Sequence, residues 1–202
     1  MMRRVGWCVA LALLLVLTAC TPVRVKGDRA MLAAQADREQ ALAKVDHWTL
    51  EAHLGVSDGH DGGSGTLTWE RDGDHFTFTV RAPITGRSFR LRGGPDGAVL
   101  EGLDQGPVRG PDAQVLLDRV LGWHVPVAPL HDWVRGMRAS HGSAPASLRF
   151  GSDGLPSLLE QDGWSVQYRD WYADRDPALP RKVYATHGDY RVRLSIRQWS
   201  TP

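Results

Sequence analysis

The chain has little cysteine, little imbalance of charge and no apolar run long enough to cross a bilayer. Its 202 residues include two cysteines, Cys8 and Cys20, too few for a disulfide framework or a cysteine-based zinc site. Lys and Arg number 24 against 23 Asp and Glu, which excludes the concentrated basic surface that nucleic acid would require. The longest apolar stretch, Val5 to Leu17, falls short of the roughly 20 residues that span a hydrocarbon core. There is no His-x-x-x-His pair, HExxH helix, P-loop or G-x-S-x-G elbow. The eight histidines are scattered: His60 sits in a glycine-rich loop, while His124, His131 and His141 fall on changing structure. Glu51, Glu70 and Glu160 fall on strands, where outward exposure accounts for them. No catalytic group, metal or cofactor is implied. Phe and Tyr are sparse at four each, yet Trp occurs eight times. Bulky indoles bury much area but pack with gaps, so they hint at a wide or irregular apolar interior.

The start of the chain is more specific. Arg3 and Arg4 lead into the apolar run, which ends in Leu17-Thr18-Ala19-Cys20. A basic start, a short apolar core and small residues before a cut site are the parts of a secretory signal. Leu-x-Ala-Cys resembles the bacterial lipobox, which implies a thioether-linked diacylglyceryl group on Cys20, cleavage before it and acylation of the new amino terminus. The other reading is an ordinary secretory signal with a chance cysteine. On the first, residues 1–19 are a cleaved signal, 20–27 a lipidated terminus with linker, and 28–202 a single domain. Cys8 would leave with the signal and Cys20 would be acylated, so no disulfide could form and core packing alone must hold the fold.

Residues 28–45 read as a helix. Asp28 is its N-cap, and the thin apolar stripe (Met31, Leu32, Ala34, Ala41, Leu42, Val45) suits a helix lying across a surface. The period then becomes two. Strands are expected at 48–56, 65–70, 75–81, 88–92 and 98–103, with Asp72-Gly73 as a hairpin turn and 57–64 as a loop. Residues 111–121 read as a second helix, with Pro111 in its first turn and Gly122 as its stop, and a short helical piece follows at about 130–135. Strands resume at 147–150, 155–161, 164–172, 181–187 and 190–199. About ten strands interrupted by two or three helices predict one strongly curved antiparallel sheet covered by helices.

Two apolar features remain. Leu50, Leu54, Leu67, Trp69, Phe76, Phe78, Val80, Phe89 and Leu91 share one face of the early strands. They are either ordinary core or the wall of an acyl-chain cavity, which would gain roughly 0.8 kcal/mol per buried CH₂ with no directional contact. Ile84 sits in the turn Pro83-Ile84-Thr85-Gly86, where turn chemistry favours polar residues. It either folds back on the sheet or projects toward a bilayer or partner.

Taken in order, several segments resemble the LolB family, outer-membrane receptors of the bacterial lipoprotein-sorting pathway. They are Trp48-Thr-Leu-Glu-Ala-His-Leu, Gly65-Thr-Leu-Thr-Trp69, the Pro83–Gly86 turn, Leu121-Gly-Trp-His-Val-Pro126, Leu130-His-Asp-Trp-Val-Arg-Gly136, Trp164-Ser-Val-Gln-Tyr168 and the final strand ending at Trp199. The resemblance implies an open half-barrel of about eleven strands under a helical lid. Its apolar cavity would be lined by Leu50, Leu54, Leu67, Trp69, Phe78, Val80, Phe89, Leu91, Leu116, Val120 and Trp133, with Ile84 on a membrane-engaging loop. It also implies a non-enzymatic, monomeric acceptor on the periplasmic side of the outer membrane. Its partners would be acylated lipoprotein cargo, a soluble carrier of related fold (LolA-like) and the inner leaflet of that membrane, and its only non-protein group the lipid on Cys20. Two positions depart from the family pattern: Ala52-His53 stands where Gly-Arg is expected, and Ile84 where Leu is more familiar. The rival readings are a lipid-anchored assembly protein with a solid core, a lipid-modifying enzyme and a soluble carrier.

Overall fold

The computed structural model describes residues 24–82, 88–140 and 146–201. Cys20 and Ile84 lie outside these described residues, as do His141 and its neighbours through 145.

The ten period-two segments and two short edge strands make twelve strands: β1 (Val25–Lys26), β2 (His47–Ser57), β3 (Gly62–Asp72), β4 (His75–Arg81), β5 (Ser88–Gly94), β6 (Gly97–Glu101), β7 (Val108–Gly110), β8 (Ser147–Phe150), β9 (Pro156–Gln161), β10 (Trp164–Tyr172), β11 (Leu179–His187) and β12 (Tyr190–Ser200). They make one antiparallel sheet in the order β1-β8-β9-β10-β11-β12-β2-β3-β4-β5-β6-β7, with β1 and β7 as free edges, so the sheet does not close into a barrel. The first long strand, β2, pairs with the last, β12, and joins the two halves of the chain at mid-sheet. Bulges interrupt the ladders at Tyr168–Trp171 and at Ile196–Gln198, where an extra residue increases the local twist.

Register also defines two ends. Ser57 pairs with Gly62, His187 with Tyr190, Gln161 with Trp164 and Arg81 with Ser88, so all four connections leave from one end, the upper end below. Asp72 pairs with His75 at the opposite end.

Helix α1 (Arg29–Ala43) is capped by the Asp28 carboxylate, which accepts from Met31 N at 2.8 Å. It buries only Gln35 and Leu42, as its thin stripe predicts. Polar contacts hold it instead: Arg38 donates to the carbonyls of Gly136 and Ala178, and Glu39 accepts from Arg138 at 2.6 Å. Burial lowers the Arg38 pKa to about 10, which leaves it charged at neutral pH. Helix α2 (Ala113–Leu116) runs directly into a π-helical turn, Leu117–Leu121, and α3 (Val127–Trp133) follows.

Several boundaries differ from expectation. Residues 25–26, expected in a linker, form edge strand β1, and β7 was not anticipated; two- and three-residue strands carry no readable period. β3 begins at Gly62 rather than at 65, because its start is fixed by pairing with β2 and not by its own glycine-rich sequence. The N-cap of α2 is Asp112, which accepts from Val115 N at 2.8 Å, so Pro111 lies before the helix and not in its first turn. α3 starts at Val127 behind the extended Pro126. Gly122 does end the π turn, with φ of 65°.

Two clusters make up the interior. The larger joins Leu50, Leu54, Leu67, Trp69, Trp133, Leu194 and Trp199; the smaller joins Leu91, Leu100, Ala113 and Leu116. Phe78 packs against both.

Candidate functional site

Where the two clusters meet, the interior is not filled. Leu54 and Val56 (β2), Trp69 (β3), Phe76 and Phe78 (β4), Leu91 (β5) and Val192 (β12) form its floor; Leu117, Trp123, Val125, Val127 and Leu130 form its roof. Every lining residue is apolar or aromatic, and the volume is about 50 Å³. The cause is shape. Trp48, Trp69 and Phe78 meet edge to face with centroids 5.4 and 5.3 Å apart, a geometry that leaves corners no aliphatic neighbour fills. Phe76 reaches the space because its cross-strand partner is Gly93, where a Cβ would come within 2.5 Å of the Phe76 ring.

The seam continues into an open mouth of about 260 Å³ at the upper end. Seam and mouth share Val56, Trp123, Val125 and Val192, and the mouth adds a polar rim that includes Asp58, Asp61, Tyr190 and Arg191. Asp58 holds the β2–β3 connection closed by accepting from His60 N and Asp61 N at 2.9 and 2.7 Å. Those two bonds hold its carboxylate below the usual pKa. A wider cleft of about 490 Å³ at the opposite end is flanked by Lys44, Asp46, His47 and Arg175, and does not reach the seam.

The roof is held unequally. Its α3 end is anchored: Trp133 Nε1 donates to Gln161 Oε1 at 3.1 Å, and the Tyr168 hydroxyl donates to the Trp133 carbonyl at 2.9 Å. Burial raises the Tyr168 pKa, so that hydroxyl keeps its proton. Arg135 adds bonds to the carbonyls of Leu42 and Val45 at 2.9 and 3.1 Å. The α2 end has fewer buried polar bonds: Leu116 and Ala113 pack into the smaller cluster, and the polar ties are Val127 N to Gln114 Oε1 at 3.0 Å, the exposed His124–Asp118 pair and His124 against the Tyr190 ring. Between these ends, His131 of α3 lies among Trp48, Trp69 and Phe76, with centroids 4.9–6.4 Å away. Burial, with help from Arg71 and Arg135, lowers its pKa to about 3, so the imidazole is neutral. Neither His131 Nδ1 nor Trp69 Nε1 has a hydrogen-bond partner among the described residues.

The sequence candidates divide across this geometry. Leu54, Trp69, Phe78 and Leu91 line the seam. Leu50, Leu67, Val80 and Trp133 lie in the larger cluster, and Leu116 in the smaller, with Phe89 and Val120 packed against the smaller. Val56, Phe76, Leu117, Trp123, Val125, Val127, Leu130 and Val192 complete the lining, although only Phe76 belonged to the stripe read from the sequence. Glu51, Glu70 and Glu160 are exposed. Among the described residues no three His, Cys, Asp or Glu side chains are arranged to hold a metal, and no helix is long and apolar enough to cross a membrane.

An open antiparallel sheet roofed by helices over an apolar seam defines a class of half-barrel. A crystal structure described as an outer-membrane lipoprotein-sorting protein domain, from Vibrio parahaemolyticus, shares it: TM-score 0.50, covering 85% of this chain and 91% of that one. At 9% identity the likeness establishes the fold alone. The family model described as "Outer membrane lipoprotein LolB" matches residues 46–199. Outer-membrane lipoproteins LolB of Xanthomonas campestris and Xanthomonas euvesicatoria are 37% and 35% identical, covering 83% and 91% of this chain and 78% and 91% of their own. That of Pseudomonas putida is 31% identical and covers 95% and 94%. The chain belongs to the LolB family, a family of outer-membrane lipoproteins and not of enzymes.

Proposed function

We propose that this protein localises lipoproteins: it accepts acylated cargo from a soluble periplasmic carrier of related fold and inserts it into the outer membrane. It acts as a monomer held by a lipid on Cys20, with no other cofactor, and faces the periplasm. The observation that carries this reading is the wholly apolar seam, which opens through its mouth at the end of the sheet where β4 stops and β5 begins. In the sequence Ile84 falls between Arg81 and Ser88, the strand ends that meet at the end where the mouth opens.

The seam is too small for an acyl chain at rest. A water molecule needs roughly 10–15 Å³ by the same measure, so 50 Å³ admits only a few water-sized groups. Entry therefore requires the roof to lift, and the bonds described above favour lifting from the α2 end with α3 as the pivot. Each methylene that enters gains roughly 0.8 kcal/mol, and the bilayer offers the same gain on release, so transfer needs no ATP.

Photo-crosslinkers placed at Phe78 and Trp123 test the cavity. Both should label acylated cargo, whereas one at exposed Val115 should not; a solid-core assembly protein would give no label from either seam position. Ile84→Glu should reduce incorporation of cargo into membrane by at least tenfold while cargo binding persists. Unchanged incorporation would remove Ile84 from the mechanism.

A further inference from the structure

The outer side of β10–β12 carries cations that no acid neutralises. Arg169, Lys182, Arg191 and Arg193 are exposed there, and none has a carboxylate within ion-pair distance among the described residues. Their neighbours Arg181 and Arg197 are paired, with Asp170 and Glu51, as is Arg92 of β5 with Glu101. Tyr184 sits amid the unpaired group, its ring 5.1 Å from the Arg169 guanidinium and 5.7 Å from that of Arg193. A tyrosine ringed by cations suits the boundary between headgroups and water.

The start of the described chain comes to this same place. Arg24 Nη2 donates to Gln167 Oε1 at 3.1 Å, and that oxygen also accepts from Arg169 at 2.8 Å. Cys20 precedes Arg24 by four residues, a reach of at most ~14 Å at about 3.5 Å per residue. A lipid on Cys20 therefore holds the patch close to the leaflet that it enters. The attraction of anionic headgroups extends about a Debye length, ~8 Å at physiological ionic strength, which is the gap such a tether must close. Across the sheet, Lys182, Ser195, His53, Thr66 and Arg81 form one register row, so the patch leads to the strand end from which the Ile84 connection leaves.

We propose that the outer face of β10–β12 docks on anionic phospholipid headgroups through Arg169, Lys182, Arg191 and Arg193, and so tilts the anchored domain to bring its mouth to the bilayer. This rests on the lipid anchor at Cys20. The processed, lipidated chain is bound to vesicles of phosphatidylcholine, with or without phosphatidylglycerol, and carries a fluorophore at Ser195→Cys or, on exposed α1, at Ala43→Cys. With phosphatidylglycerol present the Ser195 probe should become several-fold less accessible to aqueous acrylamide, and the Ala43 probe should not change. Arg193→Gln with Lys182→Gln should lower the docked-to-undocked ratio by roughly fivefold per charge removed, while Arg109→Gln, on β7, should leave it unaltered. Equal quenching of Ser195 on both compositions, or an equal effect of Arg109→Gln, would overturn the docking while leaving the anchor intact. A processed chain that fails to sediment with either vesicle would overturn the anchor, and the docking with it.

Discussion

Replacing Arg135 with methionine is expected to lower the free energy of unfolding by about 3 kcal/mol, read as a lower urea midpoint with an unchanged slope. The side chain is only 11% exposed. It donates to the carbonyls of Leu42 and Val45, where α1 ends, to the carbonyl of His131 at 3.2 Å, and to the Asp132 carboxylate at 3.2 Å. Burial lowers its pKa and Asp132 raises it in part, the mark of a charge taken from water and given protein partners. Methionine keeps an unbranched stem of similar length but none of the donors, and it loses the guanidinium that lies 5.7 Å from the Trp48 ring. The Val45 carbonyl and Asp132 then lose a partner in a poorly solvated site, at roughly 1–3 kcal/mol for each unsatisfied group. Because Arg135 joins α1 to the pivot of the roof, the variant should also admit an acyl probe more readily at temperatures where it remains folded. A loss below about 1 kcal/mol would mean that α1 and the roof are not coupled through this side chain.

That coupling was hidden in the sequence, and the reason is physical. Period-two alternation reports which face of a strand is buried, and it placed the long strands well: Val192, Leu194 and Ile196 point inward while Arg191, Arg193 and Arg197 point out. It cannot report which buried residues belong to one cluster and which to the next. Leu67 and Leu91 share a face by pattern, yet Leu67 packs into the larger cluster and Leu91 borders the seam. The roof was harder still. Trp123 and Val125 lie beyond the glycine stop of the π turn in a stretch with no period, and only their position between two helices hints at a lining role. Nothing in the local sequence marks Arg38 and Arg135 as buried. Their burial depends on carbonyls some 90 to 140 residues away, which no local pattern encodes.

His131 supplies the other large effect, through pH. Its folded pKa is about 3, against 6.5 for an unperturbed histidine. Between those values the unfolded chain binds a proton that the folded one refuses, so stability falls as pH drops through that window and is fully retained above it. From pH 7 to pH 5 the cost from this group comes to about 2 kcal/mol, using 1.36 kcal/mol per unit. Arg71 and Arg135 reinforce the effect of burial, since both oppose a positive charge on the ring. His131→Leu should erase this part of the acid sensitivity. It should cost little at pH 7, since it removes a buried ring nitrogen that has no hydrogen-bond partner among the described residues. Urea unfolding of both forms at pH 7 and pH 5 gives the measurement, and a His131→Leu protein with the wild-type pH slope would contradict the assignment. Because His131 sits in the roof between Trp48, Trp69 and Phe76, the same proton should loosen the roof before it unfolds the sheet. Acyl-probe uptake at pH 5 should then rise in the wild type and stay flat in the leucine variant.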